Sequence, residues 1–148
     1  MPQLSIHSPI GDLSVSEQAG KIVSMDWGWG AIQNQTPLLL KAKQQLEEYF
    51  DRQRTTFTLP LNPPGTEFQN RVWSQMAKIP YGRTLSYGEL AAALETSSRA
   101  VGQACARNPI PIIIPCHRVV ARAGRLGGYS GDGGRETKRA LLNLEATL

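Results

Sequence analysis

The sequence predicts a mixed α+β chain: an antiparallel sheet with one helix laid on it over residues 1–60, then a mainly helical part with a helix-turn-helix over residues 61–148. Three observations carry this. Short alternating apolar and polar runs crowd the first thirty residues, which is the period of half-buried strands. Helix-start signals of the capping-box type recur in the second part. Between them, "TLPLNPPGT" at 58–66 is proline-rich and has no periodicity, and reads as the connection between two domains.

Taken in order, "QLSIHS", "GDLSVSE" and "KIVSMDW" are alternating runs separated by "PIG" and "QAG", an antiparallel meander. Thr36 and Pro37 are an N-cap and a first-turn proline. They open a helix whose Leu39, Ala42, Leu46 and Phe50 recur at helical spacing. Thr66 with Gln69 opens a second helix with an apolar stripe of Phe68, Val72, Trp73 and Met76. After the "IPYGRT" turn, Ser86 with Glu89 opens "SYGELAAAL", and "ETSS" leads into "RAVGQACAR", which Asn108 and Pro109 stop. Two short helices across so short a turn form a helix-turn-helix.

At 148 residues, 41% of them hydrophobic and 19% charged, the chain is long enough for one ordinary or two small globular domains with a real core. No apolar run approaches bilayer length, and the sequence after Met1 lacks the order of a signal peptide. A cytoplasmic protein with no membrane partner is expected. Residues 1–70 hold five Lys/Arg against seven Asp/Glu, net −2, and residues 71–148 hold eleven against five, net +6, which together give the +4 of the whole chain. Nine of the eleven later cations are arginines, suited to phosphate and to insertion beside bases, although a basic surplus also suits a merely solvated surface.

The helix "RAVGQACAR" is poor in bulk, with Ala100, Gly102, Ala104 and Ala106, and Arg99 stands at its beginning. Small residues there serve either close helix packing or close approach to nucleic acid with Arg99 protruding; Asn108 reads equally as a C-cap. Beyond it, "IPIIIPCHRVV" reads as an isoleucine-rich strand that surrounds Cys116, His117 and Arg118 with isoleucine and valine. A buried Cys is commonly an inert small hydrophobe. Placed beside a His, it becomes a candidate nucleophile with its base, provided that "PCHR" bends or a water bridges the two, since neighbours on a strand face opposite ways. The base needs an orienting acid, and Asp132, Glu136 and Glu145 all qualify by position. Cys105 and Cys116 are the only cysteines, neither lies in a C-x-x-C, and His7 and His117 are the only histidines, so reduced thiols and no metal or other cofactor are expected.

"IPYGRTLSYGELA", "RAVGQACARNPIPIIIPCHRVV", "GYSG" and "TKRALLNLE" resemble, in order from about residue 66 to 145, the motifs of the O6-alkylguanine-DNA alkyltransferases, or methylated-DNA–protein-cysteine methyltransferases. "SPIGDL" near the start is also similar. The resemblance implies a ribonuclease H-like N-terminal domain and a winged-helix-like C-terminal one. It implies single-turnover repair of double-stranded DNA, bound through the minor groove by a monomer, with an alkyl group passing from O6 of guanine, or O4 of thymine, to Cys116. His117 would activate the thiol through a bridging water and Glu145 would orient His117. Asn108 would be a hinge bonding backbone near the thiol, and Arg99 the finger that replaces a flipped nucleotide. Tyr87 would press on the adjoining phosphate, Tyr129 and Ser130 would close the guanine pocket with Pro111 lining it, and Arg118 would join the DNA-contacting set. Two other functions compete: a non-catalytic protein that flags damaged bases, whose relatives carry Trp at the cysteine position, and a Cys-His hydrolase, which needs an oxyanion hole.

Overall fold

The computed structural model describes residues 1–122, 125–129, 131 and 133–146 and divides into two compact units, Met1–Pro64 and one beginning at Gly65. In the first, β1 (Gln3–Ile6), β2 (Leu13–Gln18) and β3 (Lys21–Trp27) form an antiparallel sheet in the order β1-β2-β3, with Leu4 opposite Val15 and Leu13 opposite Trp27. Strand alternation sends Leu4, Ile6, Leu13 and Val15 to one side of the sheet. Helix α1 (Pro37–Phe50) contributes Leu39, Ala42, Leu46 and Tyr49 to the core, capped by Thr36 as expected. The stripe expected to end at Phe50 ends instead at Tyr49, three residues after Leu46, and Phe50 is half-buried with its ring edge-on to Tyr49.

The opposite sheet face is serine, and it too is buried. Ser5 and Ser14 share a 2.8 Å hydroxyl contact, and the Gly30 amide and the Gln33 side chain both donate to Ser5. The proline-rich connection is less loose than its composition suggests, because Ile22 N donates to Pro60 O and Asn62 N to Ile22 O, pairing residues 60–62 along the free edge of β3.

In the second unit α2 (Glu67–Ala77) and α3 (Tyr87–Leu94) both begin with complete capping boxes, Thr66 with Gln69 and Ser86 with Glu89. Helix α4 (Ser98–Ala106) is capped by Ser97 and follows α3 across a turn at Glu95 in the left-handed region. The helix-turn-helix is thus present. Trp73, buried in α2, donates its indole N–H to Ala104 O at 2.9 Å, tying α2 to the C-terminal end of α4. A short parallel pair joins β4 (Leu85–Ser86) to β5 (Val119–Val120), and α5 (Gly134–Ala146) completes the unit. The observed architecture is the α+β class read from the sequence.

One local expectation fails. The isoleucine run does not form a strand: Ile113 N bonds Pro111 O, Ile114 N bonds Ile110 O, and Cys116 N bonds Ile114 O, a succession of tight turns. Pro111 and Pro115 have no N–H to offer a ladder. Ile112 holds φ at 72°, a strained value for a β-branched residue, while fully buried.

Candidate active site

Cys116, His117 and Arg118 lie on one turn of 3-10 helix directly before β5. This is the bend the sequence required, and it replaces the opposed geometry of a strand. All three side chains are buried. Asn108 holds the turn from below, its Nδ2 donating to Ile114 O at 2.8 Å and its Oδ1 accepting from Ile110 N at 3.0 Å. It is not the C-cap of α4, a position taken by Arg107.

Of the three acids open to His117, Glu145 makes the contact. His117 Nε2 and Glu145 Oε2 are 2.6 Å apart in a fully buried pair. Glu136 is exposed in the first turn of α5, and Asp132 lies outside the described residues. With a carboxylate accepting at Nε2, neutral His117 carries its proton there and presents a lone pair at Nδ1. Nδ1 is buried with no hydrogen-bond partner among the described residues. Burial pushes the imidazole below its ordinary value against the pull of Glu145, so His117 is a neutral base at neutral pH. Burial pushes the Cys116 thiol up; the Asn108 side chain, the Lys138 charge and the amides of Cys116 and His117 act in the other direction and define where a thiolate would be stabilised.

Arg118, expected among the DNA-contacting residues, is buried and turned inward. Its Nε donates to Glu145 Oε1 at 2.8 Å, Nη2 to Oε2 at 3.1 Å and Nη1 to Ile79 O at 2.7 Å, and the guanidinium lies 5.7 Å from the Tyr81 ring centre. A carboxylate so deep needs a cation, and Arg118 supplies it.

The thiol opens onto a cavity of about 410 Å³ walled by Tyr87, Gly102, Cys105, Ala106, Gly128 and Tyr129. Gly102 and Ala106 follow Arg99 at three and seven residues, so the exposed Arg99 stands on the same face of α4 as the cavity wall. A cation in the first turn of a helix opposes the helix dipole, a cost that points to a role beyond stability. Tyr87 forms a wall of the cavity; its phenol is pushed up to about 12 by burial. Glycine suits position 127, where φ is 75° and an added Cβ would lie 3.0 Å from that ring. Pro111 is buried in the turn before Cys116 and bridges Ile114. Ser130 lies outside the described residues.

Lys138 is the residue that sequence reasoning passed over. Fully buried in α5, it donates Nζ to Val119 O at 2.6 Å and to Gly128 O at 3.0 Å, with Tyr87 5.6 Å away, so one ammonium joins β5, the cavity rim and α3. Burial lowers it to about 8. Its signal was a cation among the apolar positions of "TKRALLNLE", where a solvated side chain has no place. The other eight arginines of residues 71–148 are exposed, so the basic surplus lies at the surface.

Residues 4–63 match the 6-O-methylguanine DNA methyltransferase ribonuclease-like domain, and residues 67–147 match the 6-O-methylguanine DNA methyltransferase DNA binding domain. The constitutive methylated-DNA–protein-cysteine methyltransferase of Bacillus subtilis is 44% identical over 93% of this chain and 91% of its own length. That of Mycobacterium leprae is 40% identical over 95% and 90%. Among solved structures, Mycobacterium tuberculosis OGT in complex with DNA superposes with a TM-score of 0.89 at 39% identity, covering 99% of this chain and 94% of that one. An O6-methylguanine DNA methyltransferase from Methanococcus jannaschii superposes with a TM-score of 0.73 at 29% identity, covering 98% and 94%.

Proposed function

Because the chain belongs to the O6-methylguanine DNA methyltransferase family, we propose that it repairs DNA by moving an alkyl group from O6 of guanine onto its own Cys116. The observation that carries the assignment to Cys116 is the buried pair that His117, on the same turn as the thiol, makes with Glu145 of α5 at the edge of a cavity.

An alkyl group on a base edge is hidden in a stacked duplex, so the nucleotide must leave the stack, at a cost of a few kcal/mol. Arg99, exposed on the cavity side of α4, fills the gap, and Tyr87 meets the flanking phosphate at the cavity mouth. The minor groove carries little base-specific information, which suits repair in any sequence context. Within the cavity, the thiol proton passes through a bridging water to Nδ1 of His117, whose imidazolium Glu145 stabilises. The sulfur then bonds to the alkyl carbon as the C–O bond breaks, with its electron pair going to the guanine. Asn108 and Lys138 stabilise the sulfur while it is negative, and Tyr129 covers the base. A DNA substrate and a nucleophile that works as a reduced thiol support a cytoplasmic location.

A protein that only flags alkylated bases needs neither a nucleophile nor a buried base oriented by a carboxylate. Incubation with duplex DNA carrying labelled methyl on O6 of guanine tests the reading: label is expected on the peptide containing Cys116, and methylguanine left unchanged in bound DNA would overturn it.

A further inference from the structure

Cys105 is a nucleophile that the transfer above leaves unused, and it walls the same cavity as Cys116. It sits in the last turn of α4, buried, with its Sγ donating to Met76 Sδ at 3.3 Å. The two thiols lie within electrostatic reach of each other, since Cys116 acts on the ionisation of Cys105 and both act on Tyr87 and Lys138. Small size alone accounts for a buried cysteine. A second sulfur on the wall of a cavity that admits electrophiles has a chemical consequence as well.

Resting on the reading of Cys116 as acceptor, we propose that this chain captures bifunctional alkyl lesions, guanines whose O6 substituent ends in a second leaving group, as an internal bridge between Cys116 and Cys105. With an O6-(3-bromopropyl) group, Cys116 takes the first carbon and guanine departs, leaving a bromopropyl thioether in the cavity. The Cys105 sulfur then bonds to the terminal carbon as the C–Br bond breaks. Bromide takes the electron pair, and the Cys105 proton passes to His117 Nδ1 or to solvent. The product holds two thioethers joined by a propylene link, and nothing is oxidised or reduced. Burial raises the Cys105 thiol to about 12, so it reacts only with a carbon held against it, as the first transfer arranges. The bridge keeps the second electrophile from returning to the DNA.

The test is reaction of the full chain with a duplex containing O6-(3-bromopropyl)guanine, followed by reduction, proteolysis and mass spectrometry, with products counted per guanine restored. A Cys105 peptide joined to the Cys116 peptide with loss of bromine is expected, falling to background in Cys105→Ser and Cys105→Ala. DNA–protein cross-links per guanine restored should rise in both variants. Cys116 alkylated with Cys105 still free, or an internal bridge that persists without Cys105, overturns the proposal. Wild-type mapping alone decides it should both variants fold poorly. O6-methylguanine duplex run in parallel separates the two readings: methyl on Cys116 without a bridge rejects only the capture, and no methyl on Cys116 rejects the acceptor assignment itself.

Discussion

His117 Nε2 and Glu145 Oε2 stand 2.6 Å apart, 28 residues distant in sequence and wholly buried, with Arg118 donating to both oxygens of the same carboxylate. The pair fixes the tautomer that leaves Nδ1 as the base. His117→Phe is therefore expected to slow alkyl transfer roughly 10²–10⁴-fold while DNA affinity is retained, as single-turnover rates and equilibrium binding measured together would report. Equal loss of both would show that His117 supports the fold and not the proton transfer.

Arg118 is enclosed by Glu145 and Ile79, so its removal acts on stability and not on DNA contact. Arg118→Met strands a buried carboxylate, a loss of ~3–5 kcal/mol for a broken buried pair. Denaturant unfolding should show that loss, with the salt dependence of DNA binding unchanged. A shallower salt slope would return Arg118 to the interface.

Arg99→Ala should slow repair in duplex DNA far more than reaction with free O6-alkylguanine base, which has no stack to leave. Rates on the two substrates, compared within one variant, check this. A parallel decline would remove the finger assignment.

The pH dependence follows from two opposed shifts. His117 is lowered from its ordinary 6.5 by burial, so the unfolded chain binds the extra proton first; that stability is present above pH 6.5 and is lost as pH falls below it. Cys116 is raised from its ordinary 9.0 by burial, so its contribution is present below pH 9 and is lost as pH rises above it. Stability should form a plateau between these limits. Transfer should weaken on the acid side as His117 gains a proton, and Cys116→Ser should reduce the alkaline decline in stability to the part that Cys105, raised by burial to about 12, contributes. An unaltered alkaline limb in that variant would assign it to another group.

A thioether at Cys116 has no ready hydrolytic or exchange route at neutral pH, so excess methylated DNA should be repaired to one equivalent and no further. The added carbon projects into the cavity against the walls that Tyr87, Cys105 and Tyr129 form, where crowding costs ~1–3 kcal/mol. For a chain of this length the melting temperature should fall by roughly 2–12 °C. Scanning calorimetry of the protein before and after reaction measures the shift, and sustained turnover would revive hydrolysis.

Local chemistry sufficed for much of this protein. The strand alternation, the Thr36 cap, both capping boxes and the short turn before α4 are encoded within a few residues of where they act, and they emerge as read. The Pro-Cys-His-Arg run likewise marks its chemistry by residue type alone. Three other features depended on the fold. Which acid orients His117 depends on α5 returning to the 3-10 turn, a contact that spacing cannot encode. Arg118 and Lys138 are cations beside apolar positions in sequence, and which carboxylate or carbonyls of other segments meet each charge is set by the fold. The isoleucine run looks like a strand by propensity, but two prolines and the Asn108 side chain turn it into loops that aim the thiol. Sequence specifies what each residue can do. Burial and partners, which tertiary packing assigns, decided which of those capacities each one uses.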